Sequence, residues 1–206
     1  MQVRRFTRSE IAVHWTLAAS VLAMIATGLA LGANVWHAAA FPIHVGSVFI
    51  LVAGLVLAAG VGDRVALGGL ARQLSALDDD DRRWLEWAPA AALGRGAQPP
   101  PVGRFNAGQK LNAILIAVLL TASTASGLWW WARLHHILWN SNVDGALHNL
   151  AGVAIIVLVC GHVFMAVVNP STRHALRGIT TGSVDRDWAE HHHPGWMAES
   201  AEPGAD

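Results

Sequence analysis

The chain of 206 residues carries 14 Lys and Arg against 14 Asp and Glu, so its formal charge is zero, and only 14% of it is charged while 53% is hydrophobic. Soluble domains are roughly 25% charged, so this composition excludes an ordinary soluble globule, and no nucleic-acid partner is expected. The single cysteine, Cys160, excludes a disulfide within the chain, and there is no CxxCH motif for covalent haem attachment.

The missing charge is concentrated in long runs. Between Ile11 and Gly62 there is no Asp, Glu, Lys or Arg, and the same is true of Leu111–Ala132 and Gly145–Thr172. The first run is too long for one membrane span and right for two, with a turn at GANVWHAAAFP (Gly32–Pro42), which is rich in helix breakers. The pattern predicts helices at about 11–33, 43–62, 111–131 and 146–168, each near the ~20 residues a span needs. A cleaved signal peptide is the rival for the first. Its apolar run exceeds the 7–15 residues of such a segment, and it carries a histidine. The fold class expected is all-α, a bundle of four transmembrane helices forming a single membrane domain over 1–206. Between helices 2 and 3 lies a polar linker, 63–103, in which DDDDRRW (Asp78–Trp84) suggests a short helix and GRGAQPPPVG (Gly94–Gly103) an extended segment. The tail, 171–206, is polar from Gly178 onward and expected on the cytoplasmic surface.

Orientation follows from the basic residues. All but one of the 14 Lys and Arg precede helix 1, lie between helices 2 and 3, or follow helix 4; the exception is Arg133. The positive-inside rule then places both termini in the cytoplasm of a bacterial inner-membrane protein. Trp36, Trp129, Trp130, Trp131 and Trp139 form the opposite interfacial belt.

Four histidines fall inside apolar segments: His14, His44, His148 and His162. On one helix, the 14-residue step from His148 to His162 is about 3.9 turns and about 21 Å, which leaves the two rings on one face. With the chain threaded up and down, His14 pairs in depth with His162 and His44 with His148. Two bis-histidine sites stacked across a membrane are what two b-type haems require, since neutral imidazole suits iron and bundle interiors house such cofactors. Zinc needs ligands converging within a few ångströms, which a 21 Å separation denies to His148 and His162. Small residues give a porphyrin clearance: Gly28 at the outer level, Ala58, Ala59 and Gly60 at the inner, with Gly152 and Gly161 beside the helix 4 ligands. Close helix approach explains the same residues without a cofactor. Outside the spans, His37 belongs to the first outer turn, and His135 and His136 lie in the outer loop beside Arg133. The tract His191–His193 reads as solvated, with at most chance metal affinity.

Several motifs resemble the gamma subunit of membrane-bound formate dehydrogenases, a dihaem cytochrome b family. They are RRFTRSEIAVHW (Arg4–Trp15), TGLAL (Thr27–Leu31), RFNAGQK (Arg104–Lys110), HNLAGVA (His148–Ala154), GHVFMAVVNP (Gly161–Pro170) and the tail GITTGSVDRDWAEHHHPGW (Gly178–Trp196). The likeness covers nearly the whole chain and is weakest in the linker. It implies His14 and His162 as ligands of a cytoplasmic-side haem b and His44 and His148 of an outer one, the pairing already reached from depth. It also implies a quinone site formed partly by Asn106, Gly108 and Gln109. Amide groups and exposed glycine backbone bind a carbonyl without adding charge. Taken without the family, the same segment reads as a loop feeding helix 3, with Asn106 as its N-cap. Ser126-Gly127 stands where relatives often have Thr-Gly, and WWWARLHH (Trp129–His136) is unusually rich in tryptophan.

The function expected is electron transfer from an iron–sulfur beta subunit, itself served by a catalytic alpha subunit of a formate dehydrogenase, through two haems b to quinone on the cytoplasmic side. The chain has no formate-oxidising site of its own and depends on those partners and on membrane lipid. The histidines also fit the cytochrome b subunit of a nickel–iron hydrogenase or another quinone-linked oxidoreductase. A transporter or channel with a histidine relay is the reading from another class; acidic residues within the spans would favour it, and there are none.

Overall fold

The computed structural model describes residues 1–95, 99–134 and 143–200. In chain order the elements are β1 (Gln2–Arg4), α1 (Arg8–Gly32), α2 (His37–Val61), α3 (Arg64–Ser75), α4 (Asp79–Ala92), α5 (Ala107–Leu134), α6 (Val143–Val163), α7 (Leu176–Thr181), β2 (Ser183–Asp185), α8 (Arg186–His192) and α9 (Pro194–Glu199). A π-helical turn, Phe164–Val168, continues α6.

Four helical segments are long and apolar enough to cross a membrane: Arg8–Gly32, His37–Val61, Ala107–Arg133 and Gly145–Val168. Only 6–11% of each is buried within the chain. The remaining surface, with Leu29, Phe49, Val56, Leu150 and Val157 among its exposed side chains, is the surface lipid solvates. The helical backbone meets the demand of that environment, because a helix pairs its N–H and C=O groups within the segment.

The chain divides into two units. The first, Ser9–Arg64 with Ile116–Val163, holds α1, α2, most of α5 and α6. Its buried positions are few and mostly small: Glu10, Ser20, Val21, Ala40, Ser47, Leu51, Ser126, Ala151 and Ile155. Small side chains let helices pack without the water-driven collapse that lipid cannot supply. The hydroxyls of Ser47 and Ser126 donate back to the carbonyls of Ile43 and Ala122, which satisfies them inside the bundle. The first turn is tighter than the breakers suggested. α2 begins at His37, six residues before the expected start, and contains Pro42. The reversal is confined to Ala33–Trp36, where Asn34 (φ 58°) and Trp36 (φ 53°) take left-handed backbone. Asparagine tolerates that conformation; at Trp36 it costs about 1–2 kcal/mol.

The second unit, Met1–Arg8 with Val65–Leu115 and Phe164–Asp206, is polar and built from pieces distant in sequence. β1 and β2 pair antiparallel, Gln2 opposite Asp185, Val3 opposite Val184 and Arg4 opposite Ser183. Val184 is 1% exposed, and Ala107 and Ala189 are fully buried. The linker contains two helices where one was expected. α4 is the one that DDDDRRW announces: Asp78 caps it, accepting from Asp81 N at 2.9 Å while Asp81 Oδ2 accepts from Asp78 N at 3.0 Å. The other, α3, carries two adjacent glycines, Gly68 and Gly69, which mask its helical pattern. The tail supplies β2, α8 and α9 to the fold, and its last histidine, His193, is 4% exposed.

Candidate functional site

The four intramembrane histidines meet in the predicted pairs. His14 of α1 and His162 of α6 have ring centres 6.2 Å apart, and His44 of α2 and His148 of α6 have centres 6.0 Å apart. Two imidazoles bound through one nitrogen each to a single iron stand about 6.2 Å apart, from two metal–nitrogen bonds of about 2 Å and about 1.1 Å from each nitrogen to its ring centre. Both pairs therefore hold the separation that bis-histidine haem needs. Among the described residues no group of three or more His, Cys, Asp or Glu side chains could hold a metal ion, whereas a protein zinc site takes three or four.

Hydrogen bonding fixes the tautomer of the outer pair. Thr27 Oγ1 donates to Ala23 O at 2.6 Å, so its lone pair accepts from Nδ1–H of His44 at 3.0 Å. The backbone carbonyl of Ser123, which can only accept, lies 2.9 Å from Nδ1 of His148. Both rings thus carry the proton on Nδ1 and leave Nε2 as the unprotonated nitrogen. Such outer partners orient metal-bound histidines and raise their basicity. Sequence reasoning missed Thr27 and Ser123, because nothing in their local pattern separates them from any intramembrane hydroxyl.

The glycines divide on contact. A Cβ at Gly28 would lie 3.4 Å from Cε1 of His44, and one at Gly127 would lie 3.0 Å from both Cε1 and Nδ1 of His148. The Cβ at position 127 would crowd the His148 ring, whereas the one at position 28 would make only ordinary contact with His44. Around Gly60, Gly152 and Gly161 the same Cβ would meet nothing within 4 Å. Trp130 of the tryptophan run stands 6.1 Å from the His148 ring, whereas Trp36, Trp129 and Trp131 are exposed. His135, His136 and Trp139 lie outside the described residues.

The segment Asn106–Lys110 starts α5 in the polar unit. Asn106 Oδ1 accepts from Gln109 N at 2.9 Å, and Gln109 Oε1 accepts from Asn106 N at 3.0 Å, a reciprocal capping box. The amide oxygens are committed to the helix start, so the NH2 groups are what these side chains have to offer a carbonyl. A Cβ at Gly108 would sit 3.1 Å from the Trp84 indole of α4. Here the expected cap is present, and the three quinone candidates are gathered in one turn beside an aromatic from the linker.

Residues 5–182 match the family described as prokaryotic cytochrome b561. The chain belongs to that family. It is accordingly a membrane haem protein of electron transport, with four spans in the bacterial inner membrane. This cytochrome b561 chain is also 27% identical over 125 residues to the cytochrome b556 subunit of the nitrate-inducible formate dehydrogenase of Escherichia coli strain K12. The proteins of the same name from Escherichia coli O157:H7 and Shigella flexneri match to the same degree. The match takes in 59% of this chain and 56% of the relative, so the chain spans about half the length of the curated relatives it matches.

The polar unit of this cytochrome holds its charges in unusual places. Arg5 is 4% exposed, and its guanidinium donates to Arg104 O at 2.7 Å while that of Arg104 donates to Arg5 O at 2.5 Å. Phe6, Phe105, Trp188 and Trp196 surround the Arg5 guanidinium at 5.5–6.0 Å from their ring centres. Burial, with Arg104 beside it, pushes the Arg5 pKa down to about 10. His193 Nδ1 donates to Gly103 O at 2.8 Å. Burial and then the Arg5 charge push the His193 pKa down to about 3, against a smaller upward pull from that carbonyl. The His tract thus ends in a neutral, buried tether and is not simply solvated.

Proposed function

We propose that this chain is the membrane cytochrome b subunit of a formate dehydrogenase complex, carrying electrons from an iron–sulfur partner across the membrane to quinone on the cytoplasmic side. The observation that carries the reading is the pair of ring separations, 6.2 Å and 6.0 Å, at two levels of one bundle. One haem b belongs to His14 and His162 and the other to His44 and His148. Bound haem supplies one-electron chemistry that no side chain here can supply. The protein's share is to orient the outer imidazoles through Thr27 and Ser123, to seat His148 against Gly127, and to keep water out with lipid-facing helices. Quinone is assigned to the turn Asn106–Gln109, where amide NH2 groups can donate to its carbonyls. Both termini are assigned to the cytoplasm on the distribution of Lys and Arg. The partner is assigned from the likeness to the formate dehydrogenase subunit; a hydrogenase or another quinone-linked dehydrogenase is the alternative in the same class.

The test is a dithionite-reduced minus oxidised spectrum of the purified complex, with haem quantified per chain and the copurified subunits identified. Two low-spin b haems are expected, falling to one in His44→Ala or His148→Ala and in His14→Ala or His162→Ala. No haem would overturn the reading in favour of a histidine relay. Two haems with a nickel–iron partner would keep the cytochrome and replace the dehydrogenase.

A further inference from the structure

Lys110 is a buried cation in a protein with few charges. It is 9% exposed, and its Nζ lies 2.5 Å from Asp81 Oδ2 and 3.5 Å from Asp78 Oδ2. The Asp81 side chain is 7% exposed and that of Asp78 63% exposed, so the three groups run from water into the interior. Packing alone explains this poorly. Desolvating two charges costs several kcal/mol each, and exchanging a buried ion pair for apolar residues of similar volume is often neutral or stabilising. The placement supplies the reason. Asp81 and Trp84, one helical turn apart on α4, meet Lys110 and Gly108 of the candidate turn, so the ion pair and the indole lie at one contact between α4 and the start of α5.

We infer that Asp78, Lys110 and Asp81 form the proton entry of the quinone site, a role that rests on the assignment of quinone to Asn106–Gln109. Reducing one quinone to quinol takes two electrons, delivered by the dehydrogenase through this subunit, and two protons, and it forms two O–H bonds. For each proton an N–H bond of Lys110 breaks toward the quinone oxygen, and the amine is reprotonated from water by way of Asp78. The cycle runs twice per quinol. Asp81 acts as a positioning residue: it holds the ammonium and carries the compensating charge. The linker, the part of the chain least like the formate dehydrogenase subunits, thereby contributes to the reaction.

The test uses the whole complex in stopped flow, following haem reduction by the dehydrogenase substrate and then haem reoxidation by added ubiquinone or menaquinone analogue. Asp78→Asn keeps an N-cap of equal quality, and the double variant Lys110→Met with Asp81→Asn keeps the capping-box acceptor at position 81 without a lone buried charge. Reoxidation is expected to slow tenfold or more in the double variant and several-fold in Asp78→Asn, with haem content, haem reduction and quinone KM unchanged. Added methylammonium should restore part of the rate in Lys110→Ala, which loss of a purely structural contact would not permit. Wild-type reoxidation in the folded double variant would overturn the relay alone. Unchanged quinone KM in both Asn106→Leu and Gln109→Leu would overturn the quinone assignment and the relay with it.

Discussion

The contact at Gly127 gives the sharpest test of the outer histidine pair. An alanine there would put its Cβ 3.0 Å from Cε1 and Nδ1 of His148. Unstrained contacts between such atoms begin near 3.5 Å, so the ring must retreat by about 0.5 Å. The retreat is opposed by the hydrogen bond from Nδ1 to Ser123 O, now 2.9 Å. Lengthening it by about that distance takes it to the limit of useful geometry, a loss of about 1 kcal/mol. Disturbing an outer partner of a metal-bound histidine typically weakens the metal 10–100-fold, or about 1.4–2.7 kcal/mol. Gly127→Ala is therefore expected to weaken the outer haem 10–100-fold, read by haem titration of the purified chain, while the site at His14 and His162 keeps its affinity. Equal outer-haem affinity in Gly127→Ala and wild type would refute the claim that this glycine seats the ligand.

Three other outcomes follow from the same geometry. Thr27→Val removes the acceptor of Nδ1–H of His44 at nearly constant volume, making the imidazole less basic; the outer haem potential should rise by about 40 mV, the equivalent of about 1 kcal/mol, and a fall in redox titration would contradict it. His193 binds a proton below about pH 6.5 when unfolded but only near pH 3 when folded. The folded tail should then lose stability as pH falls through that window, by about 1.4 kcal/mol per unit. Hydrogen exchange in α8 and α9 measures this, and the slope should flatten in His193→Phe. Asn106→Ala deletes one half of the capping box and should destabilise the start of α5 by about 1 kcal/mol; unchanged exchange protection there would show that the cap contributes nothing.

The spans were legible because lipid demands long uncharged stretches, and the absence of Asp, Glu, Lys and Arg from Ile11 to Gly62 needs no three-dimensional knowledge. The His14/His162 and His44/His148 pairs were legible for a related reason: a helix converts a 14-residue step into depth and face together. What failed to show was a short ladder and the elements whose local pattern is masked. The ladder between Gln2–Arg4 and Ser183–Asp185 is three residues a side, too short for a period-2 pattern to register. α3 was hidden by Gly68-Gly69, and the start of α2 by Pro42, a residue whose missing N–H this helix absorbs. The turn at Asn106 shows a different limit. Cap and quinone contact ask for the same residue types, so the local sequence supports both readings, and the structure shows Asn106 and Gln109 serving the first.

The pairing of β1 with β2 also sets the order of assembly. Residues 2–4 leave the ribosome first and must wait for residues 183–185, which at 5–20 residues per second is about 10–40 s later. The ladder can close only if the intervening spans return the chain to its starting side. A nascent chain with one span misinserted would strand the two strands across the bilayer, with Val184 and Arg5 deprived of their burial. Closure of this small polar unit thus comes last in synthesis and requires that the spans bring both ends of the chain to one side of the bilayer.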